Sequence, residues 1–165
     1  MKVHLRFIIV LWFFTLPALG QVETKAFLTV EGEVEKNLKV TVDDLIKLNP
    51  TEVSARDKEG KDHIYKGVTL YDLLNTAGVT FGSKLRGKNL SKYVLLKARD
   101  GYEVVYALAE LDPEFTNDVV LLAYQVDGNP LPSGEGPFRL VAPADKKPAR
   151  WIREITTIKV VFSKE

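Results

Sequence analysis

The chain has 165 residues and contains 23 Lys and Arg against 22 Asp and Glu, which gives a formal net charge of +1. A charge this close to zero creates no global electrostatic field that would attract nucleic acid. The sequence contains no cysteine, which excludes disulfides, thiolate ligands for metals and cysteine nucleophiles.

The first twenty residues have the layout of a secretory signal peptide. Lys2 and Arg6 precede the ten-residue apolar stretch FIIVLWFFTL, which is too short to span a bilayer. The tripeptide ALG then offers small residues at a cleavage site. We expect cleavage near Gly20–Gln21, export to the periplasm or beyond, and one domain over residues 21–165. A retained membrane anchor is the alternative.

The first half of the exported chain alternates between strand and helix patterns. AFLTVEG (26–32) has apolar residues at every second position, which predicts a strand. TVDDLIKLN (41–49) predicts a short helix capped by Thr41. Residues 52–67 predict a hairpin that turns around Gly60.

The clearest helix signal is TLYDLLNTAG (69–78), in which Thr69 is a good N-cap and Gly78 a natural terminator. One face of this helix is apolar at helical spacing and is predicted to be buried. Its members are Leu70, Leu73, Leu74 and Ala77.

The second half of the chain is dominated by strand patterns. They are KYVLLKA (92–98), YEVVYAL (102–108), DVVLLAYQV (118–126), FRLVAP (138–143) and ITTIKVVF (155–162). RDG is a turn between the first two, and DGNP ends the third. The sum predicts an α+β domain that is rich in strands and has two or three short helices.

Catalytic constellations are weak in this sequence. His63 is the only histidine after the predicted cleavage site, so a histidine-rich metal site or a nucleophile–His–acid triad has one candidate at most. A lone histidine in a hairpin is most simply a surface residue. Asp100, Glu103 and Glu135 are possible acids or bases, but spacing alone pairs none of them. We therefore predict no catalytic and no metal-binding residue.

The segment RLVAPADKKPARWIREITTIKV (139–160) concentrates positive charge beside a tryptophan, Trp151. Its cations are Arg139, Lys146, Lys147, Arg150 and Arg153, with Asp145 as the one acid between the first and the last. One interpretation is an anion site with an aromatic platform, because Lys and Arg bind oxyanions and an indole face stacks on heteroaromatic rings. The other is an ordinary surface loop whose tryptophan packs in the core.

The same segment carries a resemblance to a known family. DVVLLAYQVDGNPLPSGEGPFRLVAPADKKPARWIREITTIKV resembles the molybdopterin-binding domain of the sulfite oxidase superfamily. YKGVTLYDLLNTAGV and ARDGYEVVYALAEL resemble two other segments of that domain. The resemblance covers roughly residues 26–162 and implies the strand-rich, mixed-sheet fold of the sulfite oxidase type.

The resemblance also implies where a pterin ligand would lie. The family's contacts with the pterin phosphate correspond to Lys146, Lys147 and Arg150, with Arg139 on the preceding strand. The RDGY turn, Arg99 to Tyr102, lies near the same cleft in that family. The full set of predicted ligand contacts is Arg56, Arg99, Asp100, Tyr102, Arg139, Lys146, Lys147, Arg150 and Trp151.

One departure from the family bears on function. Its enzymes ligate molybdenum through a cysteine in the strand that corresponds here to EVSARD, where this chain has Ser54, Ala55 and Arg56. We therefore expect no molybdenum, although a Ser or Asp oxygen remains a possible ligand. The expected function is an exported, monomeric, non-catalytic binding protein for a pterin, which signals through a membrane protein. The alternatives are a molybdenum-cofactor oxidoreductase, or a subunit of one, and an interaction module with a decayed ligand site.

Overall fold

The structure is a computed structural model that describes residues 25–163. The predicted signal peptide and its cleavage site lie outside the described residues. None of the helices in the described part is long and apolar enough to cross a membrane.

Residues 25–163 form ten strands and two α-helices. The strands are β1 (Phe27–Gly32), β2 (Leu38–Thr41), β3 (Thr51–Arg56), β4 (Asp62–Thr69), β5 (Lys92–Ala98), β6 (Glu103–Ala107), β7 (Leu121–Val126), β8 (Asn129–Pro130), β9 (Arg139–Val141) and β10 (Ile155–Phe162). The helices are α1 (Val42–Ile46) and α2 (Leu70–Thr76). Short 3-10 turns cover Gly82–Lys84, Gly87–Ser91, Leu108–Glu110 and Pro148–Arg150. The strand-rich α+β prediction is confirmed.

The strands form two sheets. The first has the order β2-β1-β10-β5-β6, and the second has the order β3-β4-β7-β8, with β9 also paired to β7. β1 and β10 are parallel, so the first sheet is mixed. The strand pairs of the second sheet are antiparallel. The last strand, β10, lies in the centre of the first sheet. The segment before it contacts the second sheet, since the Leu140 amide of β9 donates to the Ile152 carbonyl at 2.8 Å.

Local side-chain chemistry starts both helices where the sequence predicts. The Thr41 hydroxyl accepts from the Asp44 amide at 3.3 Å, and the Asp44 carboxylate accepts from the Thr41 amide at 3.1 Å. The Thr69 hydroxyl accepts from the Asp72 amide at 3.0 Å. Helix α1 ends at Ile46, three residues before the predicted end, because the chain must leave helical backbone before Pro50.

One strand prediction needs correction, and one strand has no counterpart in the predictions. The strand predicted over 118–126 begins only at Leu121, because the Val120 carbonyl accepts from the Leu70 amide at 2.8 Å and caps helix α2 rather than joining the ladder. Strand β2 was not predicted. Its four residues, LKVT, are too few to show a period, and pairing with β1 is what makes them a strand.

Replacing Leu73 with alanine is expected to lower the free energy of unfolding by about 2–5 kcal/mol. Leu73 lies on the buried face of α2 with only 1% exposure, so the truncation leaves a cavity in the core. The matched control is Leu90→Ala, which truncates a side chain that is 48% exposed and should cost little. Denaturant unfolding measures both. Equal losses in the two variants would contradict the core assignment.

Candidate ligand-binding site

A cleft of about 330 Å³ opens between the second sheet and the turn before β10. We call it the Arg139 cleft. Tyr65 of β4, Arg139 of β9 and Trp151 form its inner wall. Its rim carries charged residues of the β3–β4 hairpin and of the loops before β9 and β10. These are Asp57, Lys58, Glu59, His63, Glu135 and Arg153.

Arg139 is the central polar group of this cleft. It is only 7% exposed, and its guanidinium pairs with the carboxylate of Glu135. The guanidinium carbon lies 5.3 Å from the centre of the Tyr65 ring and 5.7 Å from that of Trp151. Its Nε is buried and has no hydrogen-bond partner among residues 25–163. Because this N–H is out of contact with solvent, a ligand in the cleft reaches it only when the Arg139 side chain moves, and the unused donor then favours an acceptor of the ligand.

Trp151 lines the cleft from within the core. The residue is 5% exposed, its Nε1 donates to the Ala142 carbonyl at 3.0 Å, and its ring meets Tyr65 edge-on at 6.1 Å. The expected open stacking platform is therefore not present in this structure. The indole is buried because the carbonyl of Ala142 satisfies its N–H.

Arg150 points away from the Arg139 cleft. Its Nε and Nη2 donate to Asp145 at 3.1 and 2.6 Å, and its Nη1 donates to Glu110 at 2.9 Å. The guanidinium lies 4.1 Å above the centre of the Tyr106 ring. The pKa of Arg150 is raised above its ordinary value, chiefly by the hydrogen bonds to Asp145. Thus Arg139 and Arg150 do not converge on one anion, and the structure does not bring them together.

The other predicted cations lie outside the lining of the Arg139 cleft. Lys146 and Lys147 are exposed on the loop before the Pro148–Arg150 turn and form no ion pair with any described residue. Arg56 donates to Asp62 at 2.9 and 3.0 Å. Arg99 pairs with Glu154 at 3.1 Å. A phosphate contact by Lys146 or Lys147 stays a prediction.

The RDGY turn borders a second cleft that adjoins the first. This neighbour has a volume of about 300 Å³ and is lined by Asp100 and Tyr102. The Tyr102 hydroxyl donates to the Ala149 carbonyl at 2.9 Å, and the Tyr102 amide donates to Asp100 at 2.9 Å. Ala149, Trp151 and Arg153 line both clefts. The predicted contacts Asp100 and Tyr102 therefore lie at a cleft that adjoins the Arg139 cleft, and their contact with a ligand stays a prediction.

Sequence reasoning missed the histidine of the cleft. His63 is not a solvated surface residue, since only 17% of its side chain is exposed. Its Nδ1 lies 2.6 Å from Asp127, and its Nε2 lies 3.1 Å from Asp57. The hydrogen bond with Asp127 is the main cause that raises the pKa of His63. Asp127 is 64 positions away in sequence, so spacing gave no signal of this contact.

The two contacts of His63, with Asp57 and Asp127, predict a specific pH dependence of stability. Only the imidazolium has two N–H groups, so both carboxylates accept from His63 only when it is protonated. Because the folded pKa of His63 is raised, this stabilisation is complete below its unfolded pKa of about 6.5 and is lost as pH rises through the folded value. Thermal unfolding of wild type should show this loss, and His63→Gln should not. If the thermal stability of the two proteins changed with pH in the same way, this role of His63 would be contradicted.

The strand that corresponds to the family's metal ligand presents no thiolate, because the sequence contains no cysteine. Ser54 is exposed, Ala55 is buried opposite His63, and Arg56 is paired with Asp62. No group of three or more His, Cys, Asp or Glu residues within the described part of the chain is placed to hold a metal ion.

Comparison with known proteins identifies the fold and the family. A chain in the crystal structure of the sulfane dehydrogenase SoxCD from Paracoccus pantotrophus is similar, with a TM-score of 0.65 and 20% sequence identity. The similarity covers 82% of this chain and 38% of that chain, so this chain spans well under half the length of its structural relative. At this identity the likeness shows the fold alone. No curated protein matches the chain.

The sequence itself matches a family model over nearly its whole length. The model is described as the oxidoreductase molybdopterin binding domain, and it matches residues 17–164. This match confirms the resemblance to the sulfite oxidase superfamily and, together with the two-sheet architecture, the expected fold. The chain therefore belongs to the oxidoreductase molybdopterin-binding domain family.

Proposed function

We propose that the chain is an exported, non-catalytic binding protein for a pterin or pterin-like ligand, and that it signals through a membrane-protein partner. The observation that carries the binding proposal is the buried Arg139. Its Nε–H is unpartnered among the described residues, and its guanidinium lies beside the rings of both Tyr65 and Trp151 at the inner wall of a cleft.

The chemistry of the cleft fits the organic part of the family's cofactor. A pterin has ring acceptors that match the free Nε–H of Arg139, and an amino group with N–H donors that match carboxylates at the rim. Asp57, Glu59 and Glu135 supply such carboxylates. The volume of about 330 Å³ falls at the lower end of the roughly 300–1,000 Å³ of small-molecule sites.

The residues do not fit a metal held by the protein. The family's thiolate is missing because the chain has no cysteine, and Ala55 in the corresponding strand is buried without a donor atom. The proposed ligand is therefore a pterin without stoichiometric molybdenum. Lys146 and Lys147 are the proposed contacts of a phosphate group, where the ligand carries one.

A second candidate is a molybdenum-cofactor-dependent oxidoreductase or a subunit of one. The family description, which names oxidoreductases, favours it. In that case the metal would be held by the cofactor alone or by an oxygen ligand of the protein.

One experiment separates the two candidates. The protein is isolated from the periplasm of its own host, and the bound small molecule and the metal content are measured on the same sample. We expect a pterin mass and no stoichiometric molybdenum. Stoichiometric molybdenum would establish the oxidoreductase candidate and overturn the proposal. N-terminal sequencing of the same sample tests export, since a chain that still begins at Met1 would contradict cleavage near Gly20–Gln21.

A further inference from the structure

A second concave surface surrounds the loop between the turn Leu108–Glu110 and strand β7. It consists of two clefts of about 350 Å³ each, and we call it the loop groove. The two clefts share the walls Thr116, Asp118, Val119 and Val120. None of the residues that line the loop groove lines the Arg139 cleft.

The loop presents apolar side chains on a fixed backbone. Asp112 is 1% exposed, and its carboxylate accepts from the amides of Gly82 and Glu114 at 2.7 and 2.9 Å. The amide of Phe115 donates to the Asp112 carbonyl at 2.9 Å. Phe115 and Val119 are nevertheless 50% and 37% exposed. Exposed aromatic residues on a rigid support are typical of protein interfaces.

The loop groove is acidic. Four carboxylates line it, and Arg150 is its one cation among the described residues. The carboxylates are Asp72, Glu110, Asp118 and Asp145. Glu110 and Asp145 already hold Arg150, whereas Asp72 and Asp118 form no ion pair in the described part of the chain. The remaining negative charge favours a cationic occupant and disfavours an anionic membrane surface.

Tyr106 shows a second, independent sign of an incomplete site. This residue lines the loop groove, is 1% exposed, and its hydroxyl has no hydrogen-bond partner among residues 25–163. Arg150 stacks on its ring between two carboxylates. The groove thus already holds one guanidinium of this chain, and the buried Tyr106 hydroxyl is left without a partner among the described residues.

The loop groove is connected to the Arg139 cleft through one short turn. Pro148 and Ala149 line the Arg139 cleft, and the next residue, Arg150, lines the loop groove. The turn therefore contributes residues to both sites.

We infer that the loop groove docks a basic amphipathic segment of a partner protein, with an apolar side chain against Phe115 and Val119 and Lys or Arg side chains against Asp118 and Asp72. The inference rests on the proposed function, because it assigns the signalling partner to a surface of this chain. The ligand cleft and the docking surface then share the turn Pro148–Arg150.

The test uses three synthetic helical peptides that share the same apolar residues and carry Lys, Gln or Glu at the polar positions. Each is titrated into the isotope-labelled chain, and amide chemical shifts are followed by NMR. The Lys peptide should bind best and shift amides of residues 110–120 and 142–150. Phe115→Ala and Asp118→Lys should each weaken it about tenfold or more.

Two control variants match these changes outside the groove. Leu90→Ala removes another exposed apolar side chain, and Glu52→Lys reverses another exposed acid. Both should leave the affinity for the Lys peptide within about twofold of wild type. The inference would be overturned by any of three results. The Lys, Gln and Glu peptides could bind equally well, the amide chemical shifts could change outside residues 110–120 and 142–150, or the control variants could lose as much affinity as the groove variants.

A pterin titration of the same variants keeps the two proposals separable. Phe115→Ala and Asp118→Lys should bind a pterin as wild type does, because neither residue lines the Arg139 cleft. A chain that docks the Lys peptide in the groove but binds no pterin would refute the proposed function alone. A chain that binds a pterin but shows no preference for the Lys peptide would refute the docking surface alone.

Discussion

Replacing Trp151 with alanine is expected to lower the free energy of unfolding by about 3–5 kcal/mol. The indole is 5% exposed and packs edge-on against Tyr65, so its removal opens a cavity between the core and the Arg139 cleft. It also removes the aromatic ring that lies 5.7 Å from the Arg139 guanidinium. Urea unfolding of the purified chain measures the loss.

Trp151→Phe is the matched control for this prediction. It keeps an aromatic ring and removes the hydrogen bond from Nε1 to the Ala142 carbonyl, so it should cost about 1 kcal/mol plus a smaller packing loss. The Ala142 carbonyl keeps a second donor, the Asp145 amide at 3.0 Å. If Trp151→Ala cost no more than about 1 kcal/mol, the indole would be a surface group and the burial account would be wrong.

Replacing Arg139 with methionine is expected to destabilise the chain by about 3 kcal/mol and to weaken pterin binding at least about tenfold. The stability loss arises because Glu135, with 25% of its side chain exposed, loses its nearest cation. Arg153 approaches Glu135 only to 3.8 Å and is itself 45% exposed, so it compensates little. The binding loss arises because the free Nε–H disappears with the guanidinium.

A double variant separates the two effects of Arg139. Arg139→Met combined with Glu135→Leu leaves no uncompensated carboxylate at this position, so it should recover much of the stability. It should still bind pterin poorly. Lys97→Met, which breaks a surface pair with Glu103, is the control and should change neither quantity much. Wild-type affinity in the stable double variant would show that the guanidinium does not contact the ligand.

Most of the fold could be predicted because its signals are local. Strands β5 and β10 occupy the predicted residues 92–98 and 155–162, since alternating apolar residues mark a strand with one buried face. Thr69 starts α2 through a hydrogen bond to a residue three positions away. Strand β2 and the true start of β7 depend on contacts with distant segments, and no short pattern encodes these.

The site could be predicted only in part, for the same reason. The cluster of cations around Trp151 is visible in the sequence, but one of the acidic residues that separate Arg139 from Arg150 is distant in sequence. Glu110 lies 40 positions before Arg150 and draws it into a different groove from Arg139. The unpartnered Nε of Arg139 depends on its burial beside the rings of Tyr65 and Trp151, which spacing does not reveal. The ligand contacts inferred from the family resemblance remain predictions.

The measurement that tests the central proposal most directly is a calorimetric titration of the purified chain with a fully reduced pterin. The proposal predicts saturable binding at one site with a dissociation constant below about 1 mM, and much weaker binding to the stable Arg139→Met, Glu135→Leu variant. Absence of binding up to that concentration, or equal binding by the wild type and the variant, would contradict the assignment of the Arg139 cleft as a pterin site.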